Sequence, residues 1–224
     1  MAVFDKEAKD YDSWYNSKLG SFVDKVETTC VFKLFKLRKG KKVLDAGCGT
    51  GNFSIKLAKL GCDVTAVDLS NEMLNVARDK ACREGLDIDF IHMDVHKMDF
   101  ADNYFDGVLS VTAFEFFKRP QLAFDEILRV LKPKGYLLIG TINRESEWGK
   151  MYLSKEVRED SVFRYAELMT VKDLKSLNKD KLVNVRECLF VPPYAKQEEI
   201  SLENEKKLFK DGERGGFICA LWQN

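Results

Sequence analysis

The chain has 224 residues, of which 45% are hydrophobic and 32% are charged. The length suits one α/β domain. The composition is typical of a folded globular protein and excludes a fibrous or disordered one. Basic and acidic residues both number 36, so the formal net charge is zero. That balance argues against a broad nucleic-acid-binding surface.

We expect neither a transmembrane helix nor a secretory signal peptide. No apolar run approaches the ~18 residues of a membrane-spanning helix, and the residues from Met1 to Glu7 lack the apolar core of a signal peptide. The six cysteines contain no C-x-x-C pair. We therefore expect free thiols in a reducing cytoplasm, without disulfides.

An aromatic helical face is predicted at the start of the chain. Over residues 4–18, Phe4, Ala8, Tyr11, Trp14 and Tyr15 recur at spacings of three and four. Periodicity does not decide whether such a helix packs on the core or covers a ligand.

A second helix is predicted over residues 21–37, where Ser21 and Asp24 form a capping pair. The basic residues that follow, up to residue 42, complement the dipole of this helix. An RNA or anionic-membrane contact is the alternative interpretation of these charges.

The stretch from Val43 to Asn52 predicts a buried strand, a tight glycine loop and a helix start. Glycines at 47, 49 and 51 allow the backbone to take positive φ and to lie close to a ligand, and free N–H groups at the helix start can hold an anion. A dinucleotide fingerprint needs a glycine where Asn52 stands. Asp45 favours a ligand with a cationic end, such as an ammonium, over a pyrophosphate.

The segment from Asp45 to Gly51 resembles the first motif of the class I S-adenosyl-L-methionine (SAM)-dependent methyltransferases. The resemblance is broadest to small-molecule enzymes of the type 11 group, which includes quinone-biosynthesis C-methyltransferases. It implies SAM as cofactor and S-adenosylhomocysteine as product. Residues 4–14 are similar to the F-D-x-x-A-x-x-Y-D-x-W opening that covers SAM in this family, so residues 1–37 are expected to form helices that act as a lid.

The next elements carry further motifs. Asp63–Val67 is a strand that ends at Asp68, where an acidic side chain can accept both ribose hydroxyls, as it does in the family. Ser70 caps a helix over 71–84. Leu69 and Met73 would flank the adenine, although core packing explains Met73 nearly as well.

A third strand, 87–93, leads into a segment similar to the family's G-D-x-x-x-L-P-F motif, in which Met93 and Asp99 replace the glycine and the proline. The resemblance implies that Asp94 accepts from the adenine amino group and that Val95 meets the ring. His92 and His96 are the only histidines. We expect no metal there, because they are accompanied by a single carboxylate.

The fourth strand, 105–111, should reach the methyl-transfer region, because ligands of doubly wound sheets bind beyond the carboxyl ends of the strands. Phe114, Phe116 and Phe117 favour an apolar or aromatic acceptor, with core packing as the alternative. The loop lacks the D-P-P-Y-type motif used on DNA bases. If the nucleophile carries a proton, Glu115 is the candidate base, with Tyr11 and His96 as further candidates; a surface ion pair is the alternative for Glu115.

The last third of the chain completes the sheet. We predict a helix over 121–131, a strand over 136–142, a variable acceptor-side insertion over 143–181, a sixth strand over 182–191, a surface helix over 197–210 and a final antiparallel strand over 216–222. The stretch 123–142 resembles the family's helix–K-P-G-G–strand, with Lys134 in place of one glycine.

The sequence thus predicts a single domain, 1–224, with a three-layer, doubly wound, Rossmann-like α/β fold. Its sheet has seven mostly parallel strands and an antiparallel last strand. The predicted SAM contacts are Tyr11, Asp45, Gly47, Cys48, Gly49, Gly51, Asp68, Leu69, Met73, Asp94, Val95, Ser110 and Val111. The predicted acceptor contacts are Trp14, Tyr15, Thr112, Phe114, Asn143 and Trp148.

The predicted function is methyl transfer from SAM to a small, apolar or aromatic acceptor by a cytoplasmic monomer or homodimer, with no nucleic acid as partner. Two alternatives remain open: a non-catalytic SAM-binding or interaction module, and an NAD-dependent oxidoreductase. Asp45 and Asn52 disfavour the oxidoreductase.

Overall fold

A computed structural model describes residues 2–224; Met1, with which the predicted domain and its lid begin, lies outside the described residues. The strands are β1 (Lys42–Ala46), β2 (Asp63–Asp68), β3 (Asp89–His92), β4 (Phe105–Val111), β5 (Leu131–Ile142), β6 (Leu182–Cys188) and β7 (Phe217–Gln223). The helices are α1 (Lys18–Leu34), α2 (Asn52–Lys59), α3 (Asn71–Arg83), α4 (Pro120–Val130), α5 (Glu147–Leu153), α6 (Lys155–Asp160), α7 (Val171–Leu177) and α8 (Leu202–Lys210).

The strands form one sheet in the order β3-β2-β1-β4-β5-β7-β6. The pairs from β3 to β5 are parallel, whereas β7 runs antiparallel to both β5 and β6. The predicted seven-stranded, mostly parallel sheet with an antiparallel last strand is confirmed. Because β1 and β4 are neighbours although β2 and β3 lie between them in sequence, the chain changes direction across the sheet at β1.

Helices cover both faces of the sheet. Alternate side chains of β1 separate the two cores: Val43 packs with residues of α1 and α2, whereas Leu44 and Ala46 pack with residues of α4 and α7. This alternation follows from the two-residue period of a strand. The three-layer architecture is therefore confirmed.

The predicted α-helix over residues 4–18 is wrong. The chain makes turns through residue 10 and then a short 3-10 helix, Tyr11–Asn16. Polar side chains of the segment bind to distant loops: Asp5 accepts from the Ser70 hydroxyl at 2.7 Å, and Asp12 accepts from the Thr50 hydroxyl at 2.8 Å. These tertiary contacts override the helical periodicity.

The start of the first helix differs from the prediction. Helix α1 begins at Lys18 and is capped by Ser17, whose hydroxyl accepts from the Gly20 N–H at 2.9 Å, so Ser21 and Asp24 are not its capping pair. The Ser70 cap of α3 is confirmed, since its hydroxyl accepts from the Met73 N–H at 3.2 Å.

The remaining elements differ from prediction mainly at their ends. Strand β5 begins five residues early, at Leu131, and β6 ends at Cys188, where Leu189 takes a φ of 65°. The insertion is partly helical and contains α5 to α7. Across residues 2–224, none of the helices has the length and apolarity needed to cross a membrane.

Candidate active site

Two cavities lie side by side beyond the carboxyl ends of the parallel strands. The first, of about 440 Å³, is lined by residues that follow β1, β2, β3 and β4, and we call it the glycine-loop cavity. The second, of about 520 Å³, lies against the insertion, and we call it the aromatic cavity. Six residues line both and form the shared wall: Phe4, Tyr11, Tyr15, Glu27, Thr112 and Phe116.

The glycine loop turns tightly between β1 and α2. Gly47, Gly49 and Gly51 have φ values of +78°, +53° and +77°, which side chains disfavour. A Cβ at Gly47 would lie 2.5 Å from the Cβ of Ala113, so only glycine fits there. A Cβ at Gly49 would meet no atom within 4 Å. At Gly49 protein packing does not demand a glycine, and the backbone is open to the cavity.

Two carboxylates stand at the strand ends beside this loop. Asp68 accepts the N–H of Gly49 and the N–H of Ser70, both at 2.8 Å, and so joins the end of β2 to the glycine loop. Burial raises its pKa, against the effect of these hydrogen bonds. Asp45 is buried, accepts from the Ser54 hydroxyl at 2.6 Å, and has its pKa raised to about 7 by burial.

The far end of the glycine-loop cavity combines apolar and polar groups. Met73 is buried and Leu69 is half exposed. Asp94 accepts from the backbone N–H of His96 at 2.9 Å and lies 2.6 Å from its Nδ1. Although burial opposes it, these contacts hold the pKa of Asp94 below its usual value. Within residues 2–224, no three potential ligand side chains group in a way that could hold a metal ion.

The N-terminal segment is tied to the glycine loop and to α3. One oxygen of Asp12 accepts from Thr50 at 2.8 Å and from Asn52 at 3.0 Å, and its other oxygen lies 2.6 Å from Nζ of Lys80. We call this set the Asp12 clasp. It holds the 3-10 helix, and with it Tyr11 and Tyr15, beside the loop.

Comparison with known proteins gives the family. A family profile described as a methyltransferase domain matches residues 44–139. A ubiquinone/menaquinone biosynthesis C-methyltransferase of Azotobacter vinelandii is 31% identical over 157 residues, which is 67% of this chain and 62% of the relative. The chain belongs to the class I SAM-dependent methyltransferases. Its cofactor is SAM, and its reaction is methyl transfer to a small-molecule acceptor.

Two uncharacterised proteins and a solved structure are also similar to this chain. An uncharacterised protein of Methanocaldococcus jannaschii is 28% identical over 98% of this chain and 97% of its own length. The chain spans only 41% of a Mycobacterium tuberculosis relative. A solved structure from Thermotoga maritima, described as a SAM-dependent methyltransferase and possible histamine N-methyltransferase, superposes with a TM-score of 0.76 at 23% identity, over 99% of this chain and 97% of that one.

The glycine-loop cavity of this methyltransferase fits SAM by its own chemistry. SAM carries ribose hydroxyls, an ammonium and an adenine. Asp68 and Asp45 offer acceptors for the first two, and the cavity backbone is open at Gly49. Met73, Leu69 and Val95 offer apolar contacts for a flat base, and Asp94 offers it an acceptor.

The aromatic cavity of the methyltransferase is walled by rings and by acids. Its eight rings belong to Phe4, Tyr11, Trp14, Tyr15, Phe116, Trp148, Tyr152 and Phe163. Its five carboxylates belong to Glu7, Asp10, Glu27, Glu115 and Asp160. No lysine, arginine or histidine is among the described residues that line it.

Two of these acids, Glu115 and Glu27, are buried. Glu115 follows β4, is 1% exposed, and accepts from the Thr141 hydroxyl at 3.1 Å; burial raises its pKa to about 7. Glu27 lies on α1, and burial, followed by the charges of Asp24 and Glu115, raises its pKa to about 8. The surface ion pair considered for Glu115 is therefore not formed.

The structure places most predicted contacts on the two cavities. On the glycine-loop cavity lie Tyr11, Asp45, Gly47, Cys48, Gly49, Asp68, Leu69, Met73, Asp94, Val95 and Val111. On the aromatic cavity lie Trp14, Tyr15, Thr112, Glu115 and Trp148. Thr112 has a φ of 49°, which turns the chain sharply after β4.

Four predicted contacts line neither cavity. Gly51 begins α2 and packs against α3, where a Cβ would lie 3.0 Å from that of Ala77. Ser110 is fully buried and donates to the Ala46 carbonyl at 2.8 Å. Phe114 packs in the core. Asn143 is buried and donates to the Gly215 carbonyl at 2.9 Å, which fixes the turn after β5.

Sequence reasoning missed Glu27 and Tyr152. Glu27 follows Val23 by four residues and precedes Val31 by four, so it lies on the buried face of α1. A charged residue on an apolar helical face is costly unless it has a role. That signal was present in the sequence. Tyr152 belongs to the insertion, whose helices carry no motif.

Proposed function

We propose that the acceptor of this methyltransferase is a small apolar or aromatic molecule that binds in the aromatic cavity while SAM binds in the glycine-loop cavity. The observation that carries the proposal is the shared wall. Ligands in two cavities that have six lining residues in common meet at those residues. The eight rings around the second cavity favour an apolar or aromatic body in the acceptor.

The proposed SAM contacts are the predicted residues that line the glycine-loop cavity. When bound, SAM supplies a methyl group on a positively charged sulfur, which keeps the electron pair of the broken carbon–sulfur bond as the acceptor forms its own. The chain's residues have to align the acceptor and exclude water. Tyr11 and Thr112 would do so at the junction, and Trp14, Tyr15 and Trp148 around the acceptor.

Glu115 is the proposed proton acceptor for a nucleophile that carries a proton. A carboxyl with a pKa of about 7 can exist in both forms near neutral pH, which suits a general base. Gly51, Ser110, Phe114 and Asn143 would act by positioning the loops, because they touch neither cavity.

The whole described chain would act as one domain. Residues up to 37 would cover the site, a role supported by the Asp12 clasp. The insertion, 143–181, would close the acceptor side, since α5 and α6 contribute lining residues. We further propose a cytoplasmic monomer or homodimer that does not act on nucleic acid, supported by the zero net charge.

Calorimetric titration with SAM, S-adenosylhomocysteine and NAD tests the cofactor. Micromolar binding of the first two and none of NAD is expected, followed by label transfer from methyl-labelled SAM to acceptors with an aromatic body. Binding without transfer to any acceptor would favour a non-catalytic SAM-binding module. Binding of NAD alone would favour an oxidoreductase and overturn the proposal.

A further inference from the structure

The charge of the aromatic cavity is one-sided. Five carboxylates line it, and no cationic side chain lies among its described lining residues. The nearby ammonium of Lys56 is already paired with Asp24. Carboxylates taken out of water are costly unless a positive charge or hydrogen-bond donors meet them. Glu7, Asp10 and Asp160 are exposed to water, so this cost falls on Glu27 and Glu115, which are buried.

One carboxylate oxygen of Glu115 also lacks a hydrogen-bond donor. Its Oε2 accepts from Thr141, whereas its Oε1 is buried and has no hydrogen-bond partner among the described residues. Unpartnered buried carboxylate oxygens are rare in folded proteins. Glu115 lines the aromatic cavity, so this oxygen could accept from a donor bound there once its carboxyl group turns toward the cavity.

Glu27 adds a second buried acid at the shared wall. It lies on both cavities, and burial, then the negative charges of Asp24 and Glu115, raise the pKa of its carboxyl group. Two acids that repel each other and face one cavity are stabilised together by one cation.

We propose that the methyl acceptor is a basic amine, whose ammonium binds at Glu27 and Glu115 while its organic part packs against the aromatic rings. The inference rests on the proposed function and names its substrate class. Aromatic faces attract cations as well as apolar groups. The aromatic rings and the two carboxylates therefore both favour an organic cation. An anionic acceptor would be repelled, and a neutral one would leave the acids without a counter-charge.

Such an acceptor has a consistent proton balance. A protonated amine has no free electron pair, so it must first give one proton to a carboxylate, which becomes a carboxylic acid while the nitrogen keeps the electron pair. After methyl transfer the nitrogen carries the positive charge that the sulfur has lost. The second carboxylate remains ionised to hold that charge.

The test compares three probes of similar size on the protein saturated with S-adenosylhomocysteine: 2-phenylethylamine, 2-phenylethanol and 3-phenylpropanoate. Calorimetry should give at least about tenfold tighter binding of the amine than of the alcohol, which is about 1.4 kcal/mol, and the weakest binding for the carboxylate. Equal binding of amine and alcohol, or no binding of the amine, overturns the inference.

Substitution of Glu27 and of Glu115 tests whether these two acids cause the preference for the amine. Glu27→Gln and Glu115→Gln keep the size of each side chain, and each should lower the preference for the amine over the alcohol at least fivefold. Glu203→Gln, on the exposed face of α8, is the matched control and should leave the preference unchanged. An unchanged preference in both cavity variants would contradict the assigned site.

S-adenosylhomocysteine binding distinguishes a failure of the amine inference from a failure of the proposed function. If it binds and label from SAM appears on phenols or alcohols but not on amines, the amine inference fails and the proposed function stands. If it does not bind, the proposed function fails first. Because Glu27 lines both cavities, wild-type circular dichroism of the two variants is the check that they are folded.

Discussion

Removing the Asp12 carboxylate should release the N-terminal segment from the site. In Asp12→Ala the hydrogen bonds from Thr50 and Asn52 and the ion pair with Lys80 are lost together. The clasp joins residues that are far apart in sequence, and the rest of the segment depends on aromatic contacts and on Asp5. We therefore expect local opening of residues 4–16 and an otherwise intact fold.

The free energy lost with the Asp12 clasp depends on how far its side chains are buried. Hydrogen bonds to a charged group contribute about 1.5–3 kcal/mol when buried, but the Asp12 side chain is 33% exposed and that of Lys80 is 22% exposed, so solvent screening reduces the sum. We take about 2 kcal/mol for the whole clasp. That value is a roughly thirtyfold increase in the equilibrium constant for opening of the segment.

Hydrogen exchange read by mass spectrometry measures this opening directly. Peptides within 4–16 should exchange roughly thirtyfold faster in Asp12→Ala, while peptides of β4 and β5 keep the wild-type rate. Asp10→Ala, an exposed acid of the same segment, is the matched control. Wild-type exchange in Asp12→Ala would refute the clasp as the attachment of this segment.

Three further predictions concern the site. Gly47→Ala should destabilise the protein by about 1–3 kcal/mol more than Gly40→Ala in urea denaturation: both glycines have φ near +78°, but only the Cβ at 47 meets an atom, at 2.5 Å. Similar losses in the two variants would contradict the clash. Asp68→Ala should weaken S-adenosylhomocysteine binding at least tenfold in calorimetry with the fold retained by circular dichroism; undiminished binding would exclude Asp68 from the cofactor site. Glu27→Gln should match the wild type in free energy of unfolding near pH 4 and exceed it by at least about 1 kcal/mol at pH 8.5. The reason is that a carboxyl with a folded pKa of about 8 gives stability below its unfolded pKa, near 4.3, and loses it as the pH rises to 8; a difference that shrinks with rising pH would contradict this sign.

The sheet could be predicted from the sequence because its signals are local. The parallel strands are short apolar runs, and polar residues at or beside their carboxyl ends, such as Asp45 in β1 and Asp68 in β2, reach the ligand edge by topology alone. The same rule assigned Asn143 and Ser110 to the site. It could not show that their side chains turn inward to backbone carbonyls, since that depends on neighbouring loops.

For the N-terminal segment, the spacing of aromatic residues predicted which residues line the site but not their secondary structure. Its aromatic residues do line both cavities, as their spacing suggested. They do so from turns and a 3-10 helix, because Asp5 and Asp12 bind loops that are distant in sequence. Glu27 was missed although its place on the apolar face of α1 is visible in the sequence; that Glu115 lies near it is shown only by the folded chain.

The shared wall also makes the two binding events thermodynamically linked. Tyr11, Tyr15 and Glu27 line both cavities, so a side-chain arrangement adopted for a ligand in one cavity is the arrangement that a ligand in the other would meet. Reciprocity requires that the factor by which the cofactor changes acceptor affinity equals the factor by which the acceptor changes cofactor affinity. Wherever this factor differs between acceptors, selectivity measured on the cofactor-free protein differs from the selectivity that operates during turnover.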